Sequence, residues 1–83
     1  MKSFVTYYPT ESHIPIIIPQ PAITTLQPSY DKDKEEWILE IFTTDSYVTC
    51  IPTGTKKRCL DLINTICAAI KQGKDIDIDL AEY

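Results

Sequence analysis

Prolines stand at positions 15, 19, 21 and 28 of this chain. A proline has no amide to donate, and its ring clashes with the carbonyl four residues earlier, so no helix survives that spacing. The intervening Ile and Thr residues favour extended backbone. The missing donors confine such a strand to the edge of a sheet. Residues 14–18 therefore read as an edge strand or an extended arm, and residues 22–26 as a further short strand. The whole proline-rich segment, 14–28, is too apolar for a free linker. Something must cover it, either the sheet of its own chain or a second protomer.

The rest of the chain is built around that constraint. Residues 2–8 alternate, with Phe4, Thr6 and Tyr8 on one side and Val5 and Tyr7 on the other. This is a strand, followed by a turn at 9–12. Residues 29–36 are polar and of mixed charge, and read as a loop. The strand signal is strongest at 36–43, where Trp37, Leu39 and Ile41 share one face and Ile38, Glu40 and Phe42 the other. Two apolar faces place it centrally in its sheet. A turn at 43–46 leads to a hairpin partner over 46–51, ended by Pro52.

From about residue 55 to 72 the period changes to that of a helix. Thr55 supplies the N-cap hydroxyl. Cys59, Ile63, Ile66, Cys67 and Ile70 form the apolar stripe, widened by Leu60 and Leu62. Lys71 suits the helix C-terminus, and Gly73 suits the position just past it. Strict alternation then returns over 74–80. Ile76, Ile78 and Leu80 point inward, and Asp75, Asp77 and Asp79 outward. The expected architecture is α+β: a small, mainly antiparallel sheet of about four or five strands with one helix packed on it and a closing strand. The chain forms one domain, residues 1–83.

At 43% hydrophobic and 24% charged, the chain has enough apolar content to bury a core rather than stay disordered. A chain of 83 residues buries roughly 60–65% of its unfolded surface, so self-association would help it. Its net charge of −4 argues against a protein that coats nucleic acid. The residues at the N-terminus lack the apolar run of a signal peptide. The longest apolar stretch, 14–18, is far too short to span a membrane. A cytoplasmic location is expected.

Candidate chemistry is sparse. The cysteines are Cys50, Cys59 and Cys67, an odd number that argues against a disulfide scaffold. Cys59 and Cys67 would lie about 12 Å apart along a helix. Sulfurs on one zinc sit within about 5 Å of each other. The cysteines are expected as small buried residues, and no metal is expected. His13 is the sole histidine. It cannot form a dyad with adjacent Ser12, because neighbouring residues on extended chain point apart. It reads as a surface or turn residue. Asp75, Asp77 and Asp79 lack the glycine that a bent calcium loop requires. They read as a solvated edge that discourages unwanted pairing, or as an acidic contact surface.

Thr55, Lys56, Lys57 and Arg58 set cations at a helix N-terminus, where the dipole favours acids. Free backbone N–H groups and cations together suit an anion, although the phosphate-loop pattern is absent. The chain is therefore expected to be a small non-enzymatic interaction module: a regulator, adaptor or inhibitor that binds protein and forms a homo-oligomer. The tyrosines support contact surfaces. The alternative is a binder of a phosphate-bearing ligand, nucleotide or nucleic acid, around Thr55–Arg58. No cofactor is expected.

Overall fold

The computed structural model describes residues 3–9 and 14–79 of the chain. His13, Ser12, Leu80 and the side chain of Asp79 lie outside the described residues. The element order is β1 (Phe4–Tyr8), β2 (Ile16–Pro19), a 3-10 turn (Gln20–Ala22), β3 (Ile23–Asp31), β4 (Glu36–Thr43), β5 (Val48–Gly54), α1 (Lys56–Gln72) and β6 (Ile76–Asp79). The class is α+β, as the periodicities indicate. The strands form two sheets of three rather than one sheet, in the orders β2-β1-β6 and β3-β4-β5. The break between them falls at the 3-10 turn, where Pro21 sits in the first turn and ladder pairing stops. All pairings are antiparallel except β1 with β6.

The strands run further than the prolines and charges suggest. The expected loop at 29–36 shrinks to a turn over 32–35, because β3 continues to Asp31 and β4 starts at Glu36. Asp31 holds that turn with its own carboxylate, which accepts the N–H groups of Asp33 at 3.0 Å and Lys34 at 3.3 Å. Glu35 takes up the left-handed conformation there, at φ 53°. Pro52 does not end β5, which continues to Gly54.

Backbone parity explains why these prolines are tolerated. In antiparallel pairs, alternate residues aim N–H and C=O at the partner and the rest aim them away. Gln20 N–H donates to Ser3 O at 2.9 Å, and Thr43 N–H to Tyr47 O at 3.1 Å. Stepping by two along each register makes Ile18 and Ile16 the inward-bonding residues of β2, and Thr49 and Ile51 those of β5. Pro19 and Pro52 fall at outward positions. The same alternation across β4 puts Pro28 outward on β3. Each strand proline lacks an N–H that would have pointed off the sheet, so no ladder bond is lost.

Both sheets share a single core. Val5, Tyr7, Ile18 and Ile78 from one, Leu39, Ile41 and Ile51 from the other, and Cys59, Leu62 and Ile66 from α1 form one buried cluster. α1 packs on β3, β4 and β5. Its buried stripe is Cys59, Leu62 and Ile66, while Cys67, Leu60 and Ile70 are exposed. The stripe is thus rotated from the expected one. The C-terminal end of α1 is tied to the β2-β1-β6 sheet by polar groups. Ser3 Oγ donates to Gly73 O at 2.6 Å, and Gln20 Nε2 to Lys74 O at 2.6 Å. Those bonds account for two buried polar side chains, Ser3 and Gln20.

Candidate functional site

Thr55 is the N-cap of α1, with extended backbone, and its hydroxyl accepts the N–H of Arg58 at 3.2 Å. No acid stands in the first turn. Two of the three cations nonetheless have partners within the fold. Lys57 Nζ lies 3.1 Å from Asp61 Oδ2, one helical turn on. The two side chains are 87% and 59% exposed, so the pair contributes only about 0.3–0.5 kcal/mol. Lys56 Nζ sits 5.6 Å from the centre of the Trp37 ring, and Tyr30 meets the same ring edge-on at 5.7 Å. The ammonium faces the negative π-cloud, a contact of roughly 0.5–1 kcal/mol at an exposed site. Arg58 is exposed and forms no ion pair among the described residues.

The acidic strand does not neutralise this turn. α1 is about 25 Å long, and Asp75 lies past its other end. Asp75 has a structural task there. Its Oδ1 accepts the N–H of Phe4 at 2.8 Å, which satisfies the first residue of β1. Asp77 is exposed on β6, in register with Thr6. β6 is an edge strand, where outward charge discourages further pairing.

The cysteines divide. Cys59 is buried, and its thiol donates to Ile38 O at 3.4 Å, joining α1 to β4. Burial pushes that thiol's pKa up, and hydrogen bonding with Thr53 lowers it in part. Cys50 and Cys67 are exposed, contrary to the expectation of three buried residues. Cys67 falls on the solvent side of the rotated stripe. Cys50 alternates with Thr49 and Ile51, which take the core side of β5. Partial burial raises the Cys50 pKa, and the charge of Glu40, its register partner on β4, raises it further. Among the described residues, no three of His, Cys, Asp and Glu come together to hold a metal.

The cleft between the two sheets has no signature in any local stretch of the sequence. Its volume is about 570 Å³. Ile16 to Pro19 of β2 form one wall, Tyr47 to Cys50 the other, and Ala22 with Thr43 to Asp45 close one end. Ile17 is 59% exposed and Tyr47 71%. Ile16 and Val48 are exposed as well. Asp45 is the charged member of this lining. The Thr43 hydroxyl donates to its carboxylate, which holds the Asp45 pKa below the usual aspartate range. The only signal available in advance was the apolar excess of 14–18. Nothing local revealed that residues some thirty positions apart in sequence would face each other. No protein-family profile, curated protein or solved structure matches the chain. Among the described residues, no helix is long and apolar enough to cross a membrane.

Proposed function

We propose that this chain is a small non-enzymatic interaction module, a regulator, adaptor or inhibitor that acts by protein–protein binding and assembles as a homo-oligomer. The observation that carries this reading is the line of exposed apolar side chains, Ile16, Ile17, Tyr47 and Val48, along an open cleft. Contiguous apolar exposure of this kind marks an interaction surface. Edge strands on both sides add backbone groups that a partner can pair with. Native mass spectrometry and affinity capture with the full chain test the reading. The expected result is a defined oligomer or a stoichiometric protein partner. A strictly monomeric chain with no protein partner overturns it.

A second reading, a phosphate-bearing ligand held at Thr55–Arg58, draws on Arg58, which has no ion pair among the described residues, and on the absence of acids in the first helical turn. The contacts of Lys56 and Lys57 within the fold weaken it. Thermal-shift measurements with a nucleotide panel test it. Equal stabilisation of the native chain and a Lys56→Ser, Lys57→Ser, Arg58→Ser variant, or none of either, removes it.

A further inference from the structure

The cleft walls have an unusual composition. Successive side chains of a strand point to opposite faces, so a cleft over a sheet face is lined by every second residue. Here four consecutive residues line it on each side, Ile16 to Pro19 and Tyr47 to Cys50. The cleft therefore meets the strands along their edges. Both strands are outermost in their sheets, and they do not pair with each other.

Ladder parity shows which backbone groups face this space. On β2 the outward residues are Ile17 and Pro19; on β5 they are Val48, Cys50 and Pro52. Ile17, Val48 and Cys50 each turn an N–H and a C=O away from the paired side. Pro19 turns only a carbonyl and Pro52 likewise, so neither leaves an orphaned donor. Ile17, Pro19, Val48 and Cys50 all belong to the cleft lining. Each wall is four residues long, so the cleft matches a short extended segment of about the length of β2.

We propose that the cleft between β2 and β5 is a strand-accepting slot, filled by an extended segment of a partner protein that carries alternating apolar side chains and a flanking Lys or Arg. The inference rests on the interaction-module reading and names the surface and the partner chemistry. The partner strand adds to the free edge of β5 through Val48 and Cys50 and reaches Ile17 across the slot. Ile16, Tyr47 and Val48 cover its apolar side chains. Charge selects its flank. Asp45 closes one end of the slot, Glu40 stands in register with Cys50, and no Lys or Arg is among the lining residues. A second copy of the chain is the poorer occupant of this slot, which leaves its self-assembly to other surfaces. It would bring another acidic lining against Asp45 and Glu40, and Pro19 and Pro52 limit the donors each edge offers for self-pairing.

Cys50 gives a footprint inside the slot, and exposed Cys67 an internal control on α1. The full chain is treated with N-ethylmaleimide, and labelling at each cysteine is read by mass spectrometry. The probes are a pool of lysine-flanked peptides alternating apolar residues with threonine, a glutamate-flanked pool, and a lysine-flanked pool N-methylated at alternate amides. Members of the first pool are expected to slow Cys50 labelling and leave Cys67 unchanged. The N-methylated pool should give no protection, because its ladder donors are blocked. Asp45→Asn, which keeps an acceptor for Thr43, should weaken the lysine-flanked peptides by about two- to fivefold. Ile17→Lys and Val48→Lys, both at exposed positions, should abolish protection while leaving the circular dichroism spectrum unchanged. If no member of the first pool protects Cys50, or the glutamate-flanked or N-methylated pool protects equally, the slot is overturned. Concentration-dependent self-association that Ile17→Lys removes would assign the cleft to a second copy and also overturn it. If native mass spectrometry still finds a partner or oligomer in those cases, the interaction-module reading stands without the slot. If it finds neither, both fall.

Discussion

Ile78→Val tests whether the two sheets are one folding unit, on which the shape of the cleft between them depends. Ile78 is 0% exposed on β6 and in register with Tyr7 of β1. It belongs to the same buried cluster as Leu39, Ile41 and Ile66, which come from the other sheet and the helix. The substitution removes one buried methylene, at a cost of about 0.5–1.5 kcal/mol. An 83-residue domain is stable by about 4–12 kcal/mol in total, so the variant folds. Small chains lose about 1 kcal/mol per molar urea. The unfolding midpoint should therefore fall by about 0.5–1.5 M, with the slope unchanged. Two probes report from outside the mutated sheet. Trp37 fluorescence follows β4, and the helical circular dichroism signal follows α1. Both transitions should move by the same amount. If both stay at the native midpoint while amide exchange accelerates in β1 and β6 alone, the sheets are independent units and the shared core is refuted.

Gly73 sits at φ 64° with nothing within 4 Å of an added Cβ, so Gly73→Ala should cost the backbone strain alone, about 1–2 kcal/mol by urea melt. In the native chain N-ethylmaleimide should modify Cys67 and Cys50 and spare Cys59 until the chain unfolds. Glu40→Gln should speed the Cys50 reaction at fixed pH, because the Glu40 charge raises that thiol. The Asp45 carboxyl is held below its unfolded value, chiefly by the Thr43 hydroxyl. Its contribution to the β4–β5 turn is thus complete above the usual aspartate range and is lost as pH falls through the lowered value. Carboxyl NMR titration should show that lowered midpoint, and Thr43→Val should move it back up.

Secondary structure was legible wherever the chemistry was local. The helix has its cap at Thr55, its stop at Gly73 and an apolar period between them. The central position of β4 was visible in its two apolar faces. Prolines were harder to read, because their effect depends on parity. Pro52 one residue earlier would remove an inward donor and end β5. Where it stands, the missing donor points off the sheet and the strand runs on to Gly54. Parity depends on the partner's register, which no single segment contains. The same ignorance rotated the helical stripe. Both Leu62 and Cys67 were apolar enough to face inward, and the position of α1 over β4 and β5 selected Leu62.

The basic turn and the cleft show the two limits of reading a site from sequence. Charges at Lys56, Lys57 and Arg58 drew attention because their sign opposes the helix dipole. The fold answers much of that with Trp37, whose ring lies under Lys56, and with Asp61, one turn along the helix. Each contact is worth no more than about 1 kcal/mol. That is comparable to the dipole penalty of about 0.3–1 kcal/mol per cation. An electrostatic oddity of that size needs no ligand. The cleft shows the opposite case. Its apolar residues, Ile16, Ile17 and Val48, read in sequence as ordinary strand content. Only the packing of the two sheets leaves them exposed beside backbone edges that no described strand pairs with. These three side chains keep 39%, 59% and 41% of their surface exposed, so covering the remainder stabilises by about 2–4 kcal/mol for the three together, more than the turn's two contacts contribute together. On those magnitudes, the unmet demand for a partner lies at the cleft rather than at the cations.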